Sequence, residues 1–272
     1  NGTGYASFTF SVRDSNNTYD AAPNTLTVNV TAANDAPTDL ALSANTVAEN
    51  AANGTSIGTV SGTDPDSGDT QSYSLTDTAG GRFAIDSSTG EITVANGTLL
   101  NYEAAASHSV TVRVTDSGGL TYDETFTVNL TNVNESPTGA DATVTINEDG
   151  SHTMTAANFG FSDVDAGDSL SAVRIDTLPG AGSLTLSGVA VTAGQVITVA
   201  DITAGNWVFT PVAGANGTGY ASFTFSVRDS NNTYDAAPNT LTVNVTAQND
   251  APTDLALSAN TVDENVANGT SV

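Results

Sequence analysis

Apolar and polar residues alternate with a period of two along most of this chain. The pattern is clear at Phe8, Phe10 and Val12, which alternate with Thr9 and Ser11. Such alternation predicts β-strands that turn one face to a core and the other to solvent. Short strands separated by polar turns are typical of antiparallel β-sandwiches. Predicted strands centre on residues 8–12, 26–30, 40–42, 57–60, 73–75, 83–85, 92–94, 110–114 and 126–130, and again on 144–146, 173–175, 184–186, 189–191, 197–199, 207–209, 223–227 and 241–245.

The chain also repeats itself. Residues 1–57 recur at 216–272, and near-identity of that kind indicates a recent duplication within a long array of domains. We therefore expect a segment from the interior of a larger protein. The two copies differ at Ala33/Gln248, Ala48/Asp263, Ala51/Val266 and Ile57/Val272.

A weaker repeat lies inside this period. An Asn-x-x-Pro junction begins at Asn34, Asn134 and Asn249, and proline suits the exit from a strand because its nitrogen carries no hydrogen. We expect an all-β chain of tandem Greek-key β-sandwich domains in a linear array. The predicted units are the last strands of a preceding domain (1–33), a first complete domain (34–133), a second (134–248) and the start of a third (249–272). The first of these should pack on residues outside the chain or be poorly ordered, because an isolated hairpin is marginally stable.

Charge narrows the range of partners. The chain has 30 acidic and 5 basic residues, for a formal net charge of −25. Such a surface repels nucleic acid and anionic lipid and attracts divalent cations. The sequence has no cysteine, so a disulfide-stapled fold is excluded. We see no membrane-spanning run and no signal peptide in it.

An ordered series of motifs gives the chain a family resemblance. The motifs are Val47–Asn50, Asp64–Asp66, Phe83–Ile92, Leu100–Glu103, Val114–Asp116 and Asn132–Glu135. Together they resemble a cadherin domain over the whole of 34–133, which implies a cadherin/immunoglobulin-like sandwich. Residues 134–248 are similar to the cadherin-like tandem repeats of giant bacterial surface proteins. The alternation of near-identical copies resembles the extender region of a bacterial repeats-in-toxin-type adhesin.

The resemblance implies calcium ions between successive domains. Calcium takes six to eight oxygen ligands, and clustered carboxylates repel one another without a cation. The resemblance assigns Glu49, Glu103, Asn134, Glu135, Asp163, Asp165 and Asp229 to the central junction. It assigns Asn34, Asp35, Asp64, Asp66 and Asp116 to the preceding junction, and Glu148, Asn249 and Asp250 to the following one.

This chain also departs from the family pattern. Asn101 stands where the family has an aspartate, so we expect fewer than three ions at some junctions. The second unit has no visible counterpart of Glu103, for which Asp201 is a possible substitute.

The expected function is that of a calcium-stiffened spacer in a bacterial cell-surface adhesin. It would be extracellular and non-enzymatic. The expected partners are calcium, neighbouring domains of the same chain and, where chains assemble into a filament, like chains. The alternative is a homophilic or carbohydrate-binding adhesion module. Trp207 could stack on a sugar, but its parity with Phe209 favours a core position. Paired carboxylates can also form a glycosidase site, yet such a site would not recur at every junction.

Overall fold

The computed structural model describes residues 2–251, 261, 264 and 267–269. It divides into two compact units, Asn1–Val133 and Asn134–Val272. The predicted start of a third unit, 249–272, lies almost wholly outside the described residues. The described residues are nearly all strand and turn, which confirms the all-β prediction.

The first unit contains a sandwich of two antiparallel-rich sheets. Its strands are β1 (Gly2–Phe10), β2 (Asn24–Val30), β3 (Asp39–Leu42), β4 (Thr46–Ala48), β5 (Ser56–Thr63), β6 (Ser72–Asp77), β7 (Phe83–Ile85), β8 (Glu91–Val94), β9 (Ser107–Thr115) and β10 (Thr121–Thr131), with a 3-10 helix at Gly97–Leu99. One sheet has the strand order β4-β10-β9-β6 and the other β3-β5-β8-β7. The first strand of the former sheet, β4, runs parallel to β10, the last strand of the unit.

The core of this sandwich is built from the alternating positions that the sequence indicates. Val110, Val112, Val114 and Val128 are fully buried, and Ile92 meets them from the opposite sheet. Burial of such side chains contributes about 1.5–3 kcal/mol each. The period of two therefore correctly predicts which face of each strand is apolar and buried.

The second unit repeats the architecture with an extra hairpin. Its elements are β11 (Ala142–Asn147), β12 (His152–Thr153), a 3-10 helix (Ala156–Phe159), β13 (Ala172–Ile175), β14 (Ser183–Leu186), β15 (Val189–Ala190), β16 (Val196–Thr198), α1 (Val199–Thr203), β17 (Trp207–Thr210), β18 (Gly217–Arg228) and β19 (Asn239–Thr246). The sheets have the orders β11-β19-β18-β13-β16 and β12-β17-β14-β15. Again the first strand, β11, lies parallel to the last, β19.

Aromatic residues fill the core of the second unit. Trp207 is fully buried, stacks on Phe159 with ring centroids 5.0 Å apart, and lies 6.1 Å from Phe223. Its predicted core position is confirmed.

The prediction that Val189 faces the core is wrong. Val189 is 72% exposed, because β15 is a two-residue edge strand beside a tight turn.

Strands β1 and β2 form a separate two-stranded sheet. Every residue of both strands is exposed, including the apolar Phe8, Phe10 and Leu26. The sequence predicts both strands. In the part of the chain that the structure describes, no second sheet covers their apolar face.

None of the helices in the described part of the chain has the length or the apolarity that a membrane span requires.

Candidate metal centres

Three loops meet at one end of the first sandwich, where β9 turns into β10. Asn34 and Asp35 precede β3, the Asp64–Asp69 loop follows β5, and Asp116 follows β9. Carboxylate oxygens of Asp64, Asp69 and Asp116 all lie within 4.8 Å of one another. We call this set the upper carboxylate cluster of the first unit.

The two junction residues are tied to these loops by hydrogen bonds. Asn34 Nδ2 donates to Asp116 Oδ2 at 2.9 Å, and the backbone N–H of Asp35 donates to Asp66 Oδ2 at 2.7 Å. The Asp64–Asp66 loop is held by its own bond, in which the Asp66 N–H donates to Asp64 Oδ1 at 2.8 Å. The five residues assigned by resemblance to this junction are therefore brought together in one place.

Asp116 is the buried member of this cluster, with 5% of its surface exposed. Burial alone would raise its pKa, but the Asn34 amide and the backbone N–H groups of Leu120 and Gly119 bring that pKa below the usual value. Asp116 is thus held ionised. Gly118 permits this arrangement, because a Cβ there would lie 2.5 Å from the Asn34 side chain.

The second unit builds the same arrangement from the matching residues. Asn134 Nδ2 donates to Asp229 Oδ2 at 3.0 Å, and the Glu135 N–H donates to Asp165 Oδ2 at 2.8 Å. The Asp165 N–H donates to Asp163 Oδ1 at 3.0 Å. These three bonds reproduce, position by position, those of the first unit.

A carboxylate cluster accompanies this bonding in the second unit as well. Oxygens of Asp163, Asp165 and Asp168 lie within 4.8 Å of one another, and Ser230 donates to Asp168 as Ser117 donates to Asp69. This set is the upper carboxylate cluster of the second unit. The two units differ at most sequence positions, yet they place matching acidic and amide groups at this end of the sandwich.

The opposite end of the first sandwich carries a different pair of acids. Glu49 follows β4 beside the end of β10 and is 2% exposed. It accepts hydrogen bonds from the N–H groups of Tyr102, at 2.8 Å, and Val133, at 2.9 Å. Carboxylate oxygens of Glu49 and the exposed Glu103 lie within 4.8 Å of each other. We call Glu49 and Glu103 the lower pair.

Glu148 occupies the place of Glu49 in the second unit. It is 6% exposed, and it accepts from the side chain of Asn216 at 2.9 Å and from the N–H of Gln248 at 2.5 Å. Those bonds lower its pKa, the Asn216 amide most strongly. Asn249 and Asp250 follow directly and are exposed.

The donor set suits calcium. All candidate ligands offer oxygen, from carboxylates, side-chain amides and backbone carbonyls, which is the chemistry that this hard cation prefers. Asp64 Oδ2, Asp69 Oδ2 and Asp163 Oδ2 are buried atoms without a hydrogen-bond partner in the described structure. Buried unpaired carboxylate oxygens are costly, so their place in the two upper clusters, among other carboxylates, fits a cation in each cluster.

Three residues that form or support the candidate metal centres were not predicted from the sequence. Asp69 and Asp168 close the Asp-x-Asp-x-Gly-Asp motif in both units, and their matched position after the two assigned aspartates is the signal that could have identified them. Asn216 bonds Glu148, whereas Asp201, the suggested substitute for Glu103, accepts a hydrogen bond from Thr198 at the start of α1. Asn216 carries no sequence signal, because its contact depends on how β18 enters the sheet.

Comparisons with known proteins agree with this description. A cadherin domain model matches residues 44–131, and a cadherin-like domain model matches 133–246. No curated protein matches the chain significantly.

Solved structures share the fold at low sequence identity. Mouse cadherin-23 EC22–24 matches at 21% identity with a TM-score of 0.59, over 89% of this chain and 74% of that one. Protocadherin gamma B2 domains 1–5 match at 19% identity and 0.56, over 90% of this chain and 46% of that one, so the chain spans about half of that structure's length. Human protocadherin-24 EC1–2 matches at 18% and 0.52, over 78% and 99%. The chain therefore contains two tandem domains of the cadherin family, over 44–131 and 133–246.

Proposed function

We propose that the acidic ends of these domains bind calcium. The observation that carries this proposal is the duplicated set of bonds and carboxylates in the two upper clusters. A loop that is acidic only for solubility would have no reason to reproduce those contacts. The proposed ligands are Asn34, Asp35, Asp64, Asp66 and Asp116; Glu49, Glu103, Asn134, Glu135, Asp163, Asp165 and Asp229; and Glu148, Asn249 and Asp250.

We further propose that each ion is shared by successive domains. Connectivity supports this, because Val133, whose N–H binds Glu49, is followed directly by Asn134, whose amide binds Asp229. Bound calcium would remove the repulsion between the carboxylates and hold the linker between them. Extracellular calcium modules bind with dissociation constants of roughly 0.1–1 mM, so the domains would be loaded outside cells.

Cadherin-type domains are structural adhesion modules or extracellular spacers and not enzymes. Within that class, we propose a calcium-stiffened spacer of a large bacterial cell-surface adhesin that projects a binding domain away from the cell. The internal duplication supports an array of many copies. The formal net charge of −25 suits a surface filament, because a net charge far from zero keeps chains apart in solution. Biofilm attachment is the corresponding biological setting.

The first prediction tests this proposal by small-angle scattering of the full chain. Adding calcium should increase the radius of gyration and reduce the spread of conformations, because ions fix the linker between the domains. Excess chelator should reverse the change, and magnesium should be a poorer substitute, since it demands a smaller octahedral site. An identical scattering curve with and without calcium would refute the spacer proposal.

A matched pair of variants separates specific sites from general charge. Asp163→Asn removes one carboxylate from the upper cluster of the second unit, and Asp39→Asn removes an equal charge from an exposed position of strand β3. Calorimetric titration should show calcium affinity weakened at least about tenfold by the first variant, since calcium affinity follows ligand charge. The second should leave it unchanged, and equal effects would indicate diffuse counterion binding.

The alternative function is a homophilic or carbohydrate-binding adhesion module. Cadherin-type domains include adhesion modules, which fits this alternative. Specific, saturable binding to a glycan array would support that alternative over the spacer.

A further inference from the structure

The two upper carboxylate clusters differ at one position of the turn that completes each of them. The turn after β18 carries Asn231, and the matching residue in the turn after β9 is Gly118. Each comes directly after an Asp-Ser pair, Asp229–Ser230 in the second unit and Asp116–Ser117 in the first. The difference adds a side-chain amide to the second cluster at a position where the first has no side chain.

The amide nitrogen of Asn231 contacts two groups of the second cluster at once. It donates to Asp168 Oδ1 at 3.1 Å and to Asp168 Oδ2 at 3.0 Å, and it also donates to Asn134 Oδ1. All three acceptors are carboxylate or amide oxygens, the groups that calcium binds. The N–H groups of Asn231 therefore supply these oxygens with the positive charge that a cation would otherwise supply. A cation that binds the same oxygens must first turn the Asn231 amide away.

The matching carboxylate of the first cluster lacks that donor. Asp69 Oδ1 accepts from Ser117, as Asp168 Oδ1 accepts from Ser230. Asp69 Oδ2, however, is a buried atom without a hydrogen-bond partner among the described residues, whereas Asp168 Oδ2 accepts from Asn231. A buried carboxylate oxygen without a donor is costly. The first cluster therefore gains more from a bound cation than the second does.

The first cluster also has space beside these groups. Asn34, Asp66 and Asp69 line a cavity of about 470 Å³. One water molecule takes up about 30 Å³ of the liquid, so a cation can enter together with water ligands. No side chain can stand at position 118 unless Asn34 moves, because a Cβ on Gly118 would lie 2.5 Å from the Asn34 side chain. The turn of the first unit is thus built around glycine, and that of the second around an amide.

We propose that Asn231 sets the calcium affinity of the second upper cluster below that of the first, because its amide holds oxygens that a cation would otherwise bind. This inference rests on the calcium-binding function proposed above. The two clusters then fill at different calcium concentrations, the first before the second. Asn16 repeats Asn231 in the other copy of the duplicated segment, so the same order of filling would recur along an array.

Nuclear magnetic resonance of the isotope-labelled full chain separates the two clusters in one sample. The backbone amides of residues 117–120 report on the first cluster, and those of residues 230–233 report on the second. In a calcium titration the first set should reach its midpoint at a concentration at least about tenfold lower, since hydrogen bonds to a carboxylate must be broken in the second. Equal midpoints, or a second cluster that fills first, would overturn this inference and leave the calcium proposal standing. No response in either set would overturn both.

The variant Asn231→Ala tests whether this residue causes the difference. It removes the amide, so the midpoint of residues 230–233 should move at least about tenfold toward lower calcium concentration. Asn232→Gly is the matched control, because it removes the next amide along the chain and the φ of 72° at Asn232 suits glycine. The control should leave the midpoint where it is. An unchanged midpoint for Asn231→Ala, or one at higher calcium because the amide oxygen is itself a ligand, would overturn the proposal.

Urea unfolding separates competition with calcium from a purely structural role of Asn231. In excess chelator, Asn231→Ala should lower the urea midpoint of the second unit, because the donor to Asp168 is lost. Calcium should raise the midpoint of this variant more than that of the unchanged chain, because tighter binding to the folded state stabilises it more. Fluorescence of Trp207, the single tryptophan, measures both midpoints. An equal loss with and without calcium would show that Asn231 only stabilises the turn, and would overturn the proposal.

Discussion

At the scale of single residues, the second unit contains a carboxyl pair away from the candidate metal centres. Asp235 is 9% exposed and accepts a hydrogen bond from Asn239, while Ser226 donates to Asp176 at 2.7 Å. Asp176 is also paired with Arg174 at 2.7 Å. Burial raises the pKa of Asp235, and the nearby negative charge of Asp176 raises it further. Its ionised form is therefore disfavoured in the folded domain.

Replacing Asp235 by asparagine should stabilise the domain at neutral pH. With a raised folded pKa, the protonated carboxyl stabilises the fold below the ordinary aspartate pKa, and that stabilisation is lost as pH rises through the folded value. Asp235→Asn keeps a neutral group at every pH, so the free energy of unfolding should increase by about 0.5–1 kcal/mol at pH 7. Urea unfolding at pH 7 and pH 4 should show the gain shrinking in acid.

Asp20→Asn is the control, since Asp20 holds the matching place in the hairpin of β1 and β2. It should leave the stability of the second unit unchanged at both pH values. A gain from Asp235→Asn that stays constant between pH 7 and pH 4 would rule out the raised pKa as its cause.

Residue-level prediction from sequence succeeds where the signal is local. The alternation of apolar and polar residues correctly predicts that Trp207 is buried, because its neighbours on the same strand fix its face. The same alternation fails for Val189, because it does not say whether the strand lies at an edge. Asn216 was missed for a similar reason: its bond to Glu148 joins residues that are distant in the sequence.

At the scale of elements, the duplicated hairpin separates what sequence dictates from what packing adds. The register is the same in both copies, although β18 and β19 run longer than β1 and β2. Local alternation and turn residues therefore specify the same register whether or not the hairpin is covered. Burial of its apolar face in the second unit depends on residues 134–215, which no pattern within the hairpin can predict. The short helix α1 was missed because five residues are too few to show a helical period.

Matched substitutions in the two hairpins should have very different effects. Phe225→Ala deletes a fully buried ring and should lower the free energy of unfolding of the second unit by about 3–5 kcal/mol. Phe10→Ala makes the same change at an exposed position and should cost under about 0.5 kcal/mol. Urea unfolding followed by Trp207 fluorescence measures the loss in the second unit, and far-ultraviolet circular dichroism measures the loss in the first. Similar losses would show that the hairpin of β1 and β2 is covered in solution.

At the scale of the whole molecule, charge and repetition belong together. The chain has only five arginines to balance 30 acidic residues. Its like charges therefore repel one another unless cations are bound. The acids of the candidate centres lie where each sandwich ends, with the upper cluster beside the turn after β9 or β18 and the lower glutamate after β4 or β11. The repeat and the family resemblance predicted these positions from sequence. The matching hydrogen bonds required the structure, since they connect loops separated by up to 95 residues.

The parallel pairing of β4 with β10 and of β11 with β19 has a mechanical consequence. When tension is applied where the chain enters and leaves a domain, two such strands are loaded in shear, and their ladder must break all at once. The second domain has six registered pairs between β11 and β19, and the first has three between β4 and β10. Single-molecule pulling should find a higher rupture force for the second domain, and the reverse order would contradict this expectation. An array of alternating domains would then yield first at its weaker members, which extend under a sudden load while their neighbours stay folded.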